Sequence, residues 1–178
     1  MRKRGVKVLS SEIVYEGAVF HVRRDRVAEP GSIVVTRDIV VHHGSVVLLP
    51  VFPDKTILLV RQYRHALGAH LWELVAGRVE PKESRLAAAH RELLEETGYT
   101  ARRLRQVLEI FPSPGFVSER MWIFAATQLT RGVARPEEDE RITPRRFSLR
   151  LLEQMIRRGT LRDAKSVAAI LFYARFLR

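Results

Sequence analysis

Residues 77–99, GRVEPKESRLAAAHRELLEETGY, constrain this chain more than any other stretch. From Glu83 onward the apolar spacing predicts a helix, with Leu86, Leu93 and the alanines at 87–89 forming its compact side. Pro81 stands just before the first turn, where its missing N–H costs little. Gly98 is placed to end the helix in a left-handed conformation. Glu92 and Glu96 are four residues apart, so both carboxylates lie on one helix face, one turn apart. Glu95 is offset from them by one position, and Glu83 can approach from the start of the helix. Like charges at this spacing cost an exposed helix only about a few tenths of a kcal/mol per pair, so a solvated acidic face would account for the glutamates alone.

The wider spacing is harder to dismiss. The stretch satisfies G-x5-E-x7-R-E-U-x-E-E-x-G-U, with U a bulky apolar or aromatic residue, at every fixed position. With residue frequencies of several per cent, a chance match is below about 10⁻⁸ per window. The pattern resembles the Nudix box of the Nudix hydrolases, which cleave nucleoside diphosphates linked to another moiety with the help of Mg²⁺ or Mn²⁺. The residues suit that chemistry in their own right. Hard divalent cations take oxygen ligands, and Mg²⁺ is usually held by one or two carboxylates plus substrate phosphates and water. A pyrophosphate must also have its charge neutralised before water can attack phosphorus. The resemblance implies that Glu92 and Glu96 are direct metal ligands together with the Ala76 carbonyl, and that Glu83 and Glu95 act directly or through water. Arg91 would hold the carboxylates in place by ion pairing. One position departs from the pattern: Lys82 stands where relatives usually have glycine.

At 178 residues and 46% hydrophobic content, the chain supports one ordinary domain, or one domain with a small appendage, and a substantial core. No run approaches the roughly 18 apolar residues of a membrane span. The basic start MRKRGVKVLS is followed by no long apolar region, so a signal peptide is not expected. Cysteine is absent, which excludes disulfide and thiolate chemistry, and a cytoplasmic location is the default expectation. The net charge of +11 points towards polyanions. The arginines are nevertheless scattered from Arg2 to Arg178, with no RNA-binding sheet motif or zinc-finger spacing. A nucleic-acid partner is therefore not expected, and attraction of a small phosphorylated substrate is sufficient.

Residues 11–41 read as a small antiparallel sheet of about three strands, with Glu29-Pro30-Gly31 as a turn. Such a sheet is marginal alone, so it should pack on the main domain or on a second subunit. Gly44 is the expected boundary, giving a segment 1–43 for the sheet and dimerisation and a catalytic domain 44–178. Strands are expected over 45–51, 56–62, 104–111 and 121–128, with a weak strand pattern over 142–149. Helices are expected over 148–158 and 163–177, Asp163 serving as N-cap. This order predicts an α/β (α+β) fold with a mixed sheet covered on both faces. The resemblance specifies it as a Nudix-like α/β/α sandwich preceded by the small N-terminal sheet.

Further stretches are similar to the ADP-ribose pyrophosphatase branch of the Nudix family: EGAVFHVRRDRV, TRD before GSVVLLP, VRQYR, SPGFVSER, EEDERI and DAKSVAAI. That likeness implies hydrolysis of ADP-ribose to AMP and ribose 5-phosphate. Because the small sheet before Gly44 cannot hold itself together yet carries part of the likeness, it is expected to cross to the partner in a homodimer. Arg37 and Asp38 would help recognise adenine, Phe20 or a neighbour, of the same or the partner subunit, would stack on the base, and Arg64 would contact the diphosphate. Pro114 matches a position that separates this branch from others, and Glu119 would lie near the terminal ribose or the metals. Between the last apolar strand and Ile142, where the branch places an acidic loop over the metals, stands the run Glu137–Glu140. Register against Ile142 suggests Glu138 as the base and Glu140 as a conditional metal ligand, with neighbours in the run as alternatives. Other nucleoside diphosphate sugars, such as GDP-mannose or ADP-glucose, remain alternative substrates. A non-catalytic binding module is disfavoured by the intact glutamate set.

Overall fold

The computed structural model describes residues 5–134 and 141–178. The chain divides into two compact units, one running to Gly44 and including Phe111–Arg120, the other comprising Ser45–Ile110 and Met121–Arg178. The loop SPGFVSER therefore belongs with the N-terminal sheet and not with the strands that flank it in sequence.

The N-terminal unit is an antiparallel meander of β1 (Lys7–Glu16), β2 (His21–Glu29) and β3 (Ile33–Val41), in that spatial order. Gly31 (φ 87°) and Ser32 (φ 64°) make the β2–β3 turn, where glycine relieves the strain of one of two left-handed residues. Segment 111–120 joins the unit through β3. The Phe116 carbonyl accepts from Val40 N–H at 2.8 Å, and Ser118 N–H donates to the Val40 carbonyl at 2.9 Å.

The larger unit contains a four-stranded mixed sheet. Its order is β7 (Val75–Arg78), β4 (Ser45–Pro50), β9 (Met121–Arg131) and β8 (Tyr99–Ile110), with β4 and β9 parallel and the outer pairs antiparallel. A second, antiparallel sheet is ordered β10 (Thr143–Ser148), β5 (Thr56–Arg64), β6 (Ala69–Glu73). Alternation along the strands builds two cores. Val46, Leu48, Trp122 and Phe124 pack with Ala88, Ala89 and Leu93 of helix α1 (Arg85–Thr97). Val47, Leu49 and Ile123 pack with Leu152 of α2 (Leu149–Arg157) and with Ala169, Ile170 and Tyr173 of α3 (Ala164–Phe176). Because successive side chains leave opposite faces of a strand, the fully apolar run SVVLLP feeds both cores at once. This is the sandwich with helices on both faces.

Helix α1 begins two residues later than the apolar spacing predicts. Ser84 is the N-cap, its hydroxyl accepting from Ala87 N–H at 3.1 Å, which leaves Glu83 in the preceding loop. Gly98 ends the helix at φ 72°, its N–H donating to the Leu94 carbonyl at 2.8 Å. Asp163 caps α3 through Ser166 N–H at 3.1 Å. The short strands β6 and β7 carry no clear alternation in the sequence, and there the sheets add elements that periodicity does not reveal. No helix among the described residues is long and apolar enough to cross a membrane.

Candidate active site

The box glutamates gather where α1 lies against β7. Glu92 is 9% and Glu96 4% exposed, low values for carboxylates and unlike a solvated acidic face. Gly77 in β7 is what admits them: a Cβ built there would collide with the Glu92 carboxyl group. The fixed glycine thus leaves room for a carboxylate directly over the strand that contains Ala76.

Arg91 organises the cluster. Its Nη1 donates to Glu92 at 2.7 Å and to Glu95 at 3.0 Å, while Nε and Nη2 each donate to Glu83 at 3.0 Å. Nη2 also donates to the Arg78 carbonyl at 3.0 Å, tying the helix to the end of β7, just before the loop that carries Glu83. One guanidinium therefore joins three carboxylates and a backbone carbonyl, using the fork geometry that a lysine lacks. The Arg91 hydrogen bond is the main cause holding the Glu83 carboxyl below its ordinary range, with the Glu80 N–H adding to it against burial. Hydrogen bonding by Glu83 likewise raises the Arg91 pKa, with contributions from Glu92 and Glu95. Lys82 lies at φ 68°, a left-handed conformation in which glycine is the unstrained choice, so the departure from the usual pattern changes the residue and keeps the turn.

Among the described residues, no three acidic or histidine side chains stand close enough together to hold a metal ion by themselves. The donor set still fits a hard divalent cation, since Mg²⁺ needs only one or two carboxylates when phosphate and water complete its shell. Two buried carboxylates on one helix face, beside a strand cleared of its Cβ, meet that requirement.

Arg64, at the end of β5, belongs to the same unit, but its near partner is Glu73 of β6. Nε and Nη2 donate to the two carboxylate oxygens at 2.7 and 2.8 Å. The remaining candidates lie in the N-terminal unit. Arg37 donates to Glu29 at 2.6 Å, and Asp38 accepts from Arg24 at 2.8 and 3.0 Å. As neighbours in β3, Arg37 and Asp38 point to opposite faces of that sheet. Phe20 is exposed and packs at 5.8 Å on Tyr15, so it is not a core residue. Pro114 is in the segment joined to β3, and Glu119 lies 3.6 Å from His42 Nδ1. Glu138 and Glu140 lie outside the described residues.

Residues 41–170, well over half of the chain, match the NUDIX domain. The chain belongs to the Nudix family. Among its Nudix relatives, an ADP-ribose pyrophosphatase of Mycobacterium tuberculosis is 34% identical over 175 residues, covering 96% of this chain and 84% of the relative. An ADP-ribose pyrophosphatase of Bacillus subtilis is 32% identical over 172 residues, covering 96% of this chain and 93% of the relative. The crystal structure of an ADP compounds hydrolase superposes with a TM-score of 0.86, covering 98% of this chain and 95% of that chain at 22% identity. At that identity the last likeness shows the Nudix fold alone.

Proposed function

We propose that this Nudix protein is a divalent-metal-dependent pyrophosphohydrolase that converts ADP-ribose to AMP and ribose 5-phosphate. The observation that carries the reading is the buried, Arg91-braced glutamate cluster over Gly77. The substrate is suggested by two relatives of near full-length coverage that bear the name ADP-ribose pyrophosphatase. Glu92 and Glu96, with the Ala76 carbonyl, would hold Mg²⁺ or Mn²⁺, and Glu83 and Glu95 would do so directly or through water. When bound, the cation neutralises diphosphate charge and orients the attacking water. Arg91 keeps the carboxylates from spreading apart before the cation arrives. Glu138 would accept a proton from the attacking water, with Glu140 as a conditional ligand.

Arg64 would contact the diphosphate, Arg37 and Asp38 the adenine, Phe20 or a neighbour its face, and Glu119 would lie near the terminal ribose or the metals. Asp38 is held as a carboxylate by its hydrogen bond from Arg24, which leaves it an acceptor for an exocyclic amine. We further propose a homodimer built through the N-terminal sheet, residues 1–43, and a cytoplasmic location. All ten residues of β1 are exposed, Ile13 and Tyr15 among them, a surface that a second copy would cover.

The test is to incubate the protein with ADP-ribose, GDP-mannose and ADP-glucose, with and without Mg²⁺. Phosphatase-released phosphate then reports the monophosphate products. ADP-ribose should be turned over fastest and only with metal. Folded, metal-replete protein that cleaves no nucleoside diphosphate derivative would refute the reaction.

A further inference from the structure

Apart from the box, a second set of charges joins β5, β6 and α3. At its centre is Glu73, the last residue of β6, only 2% exposed. It receives Arg64 on both oxygens, at 2.7 and 2.8 Å, and Lys165 Nζ on Oε2 at 2.5 Å. Lys165 is itself 8% exposed and also donates to Asp163 Oδ1 at 2.9 Å. Asp163 caps α3 through Ser166 N–H, and the Ser166 hydroxyl accepts from Leu74 N–H at 2.7 Å. Leu74 leads directly into β7, the strand that carries Ala76 and Gly77. One connected network therefore spans α3, Arg64 and the chain entering the box.

Anchoring α3 would require much less. Burying ions is costly unless they are excellently paired, and apolar residues of similar volume often stabilise as well or better. A Glu73–Lys165 pair alone would dock the helix. The second cation needs another reason, and its geometry supplies one. Arg64 is partly exposed and spends only Nε and one Nη2 proton on Glu73. Of the five N–H donors of a guanidinium, the two on Nη1 and one on Nη2 have no hydrogen-bond partner among the described residues, and one from each nitrogen shares the terminal edge. A guanidinium clamped along one edge presents the other in a fixed direction, the arrangement suited to paired phosphate oxygens. Arg64 is also within electrostatic reach of the box: after its hydrogen bond to Glu73, the charges of Glu96 and Asp163 add to the rise of its pKa.

We infer that Glu73 and Lys165 are positioning residues for diphosphate recognition. Lys165 fixes the Glu73 carboxylate, and Glu73 in turn fixes Arg64 so that its open edge meets the phosphate oxygens. This rests on the proposed reading of the substrate as a diphosphate. Neither residue touches the substrate. Each acts by removing rotational freedom that Arg64 would otherwise surrender on binding.

The test is a double-mutant cycle read by calorimetric binding of inorganic pyrophosphate in the presence of Mg²⁺. The proteins are wild type, Arg64→Ala, Lys165→Met and the double variant, each with its thermal midpoint. Each single variant leaves Glu73 one cation, so neither strands a bare buried carboxylate. Arg64→Ala should weaken binding about tenfold or more. Lys165→Met should weaken it about fivefold, the cost of re-ordering one long side chain. The double variant should bind no worse than Arg64→Ala, because Lys165 has nothing left to position. Lys165→Gln, which keeps a donor to Glu73 without the charge, should recover part of the loss.

Unchanged pyrophosphate binding in Lys165→Met, whatever its midpoint, would reduce the network to a structural clamp, as would losses that multiply in the double variant. If Lys165→Met does not fold, Lys165→Gln takes its place in the cycle, and the same two results overturn the inference. ADP-ribose turnover combined with pyrophosphate binding indifferent to Arg64 and Lys165 would overturn the inference and leave the proposed reaction intact. The expected coupling in a protein that cleaves no nucleoside diphosphate derivative would do the reverse.

Discussion

Gly77 and Arg91 show how much of this site is decided by single side chains. The absent Cβ at Gly77 is what lets the Glu92 carboxyl group sit over β7. Gly77→Ala must therefore push Glu92 away or open the gap between α1 and the strand. We expect metal-dependent turnover to fall by about a hundredfold or more, since displacements of an ångström in a positioned group have costs of that order. Far-ultraviolet circular dichroism should remain that of a folded protein. Turnover within a few-fold of wild type would mean that Glu92 does not need that space. These residues are legible in the sequence because fixed chemistry demands fixed residue types at fixed spacing. Glu73 and Lys165 are not. Neither stands in a spacing that points to the other, and their contact joins positions 92 residues apart, which no local pattern records.

At the scale of elements, helix α1 owes its position to Ala88, Ala89 and Leu93, all fully buried, whereas Leu86 and Ala87, expected on the same apolar side, are exposed, so spacing locates that side only in part. Its start is not readable from spacing, because Ser84, one residue after Glu83, captures the first turn through its hydroxyl and moves the start of the helix to Arg85. Helix α3 adds a polar attachment through Lys165 and Ser166 to its apolar packing, and its sequence hides that attachment. Burial alone would raise the Glu73 pKa, but hydrogen bonding by Arg64 and the charge and hydrogen bond of Lys165 outweigh it and lower the value. A carboxyl depressed in the folded state contributes stability above its unfolded pKa, and that contribution is lost as pH falls through the folded value. Glu83, lowered by Arg91, follows the same sign. Lys165→Met leaves Glu73 facing Arg64 alone, with Asp163 no longer neutralised nearby, so the Glu73 pKa should climb. Acid unfolding of the variant, followed by tryptophan fluorescence, should then begin at higher pH than in wild type. Identical acid midpoints would show that Lys165 has no hold on Glu73.

At the scale of the whole molecule, the mixed sheet with helices on both faces is predictable from the order of apolar runs, and the N-terminal meander from its β-branched alternation. The assignment of Phe111–Arg120 to the N-terminal unit is not, because it depends on backbone hydrogen bonds to Val40 rather than on side-chain pattern. A three-stranded sheet exposing Val8, Ile13, Val14, Tyr15 and Ile33 is poorly covered in one copy of the chain. Multi-angle light scattering at micromolar concentration should therefore give twice the 20.5 kDa chain mass, and a fully active monomer would remove the dimer. The central claim is that the buried glutamates of α1 catalyse hydrolysis through a divalent cation. It is tested most directly by steady-state ADP-ribose hydrolysis in Mg²⁺ by wild type and Glu92→Gln side by side. Arg91 keeps Glu83 and Glu95 as partners in the variant, so its thermal midpoint should stay close to wild type. Metal-dependent turnover is predicted in wild type and none above background in the folded variant; metal-dependent turnover that survives Glu92→Gln would contradict the claim.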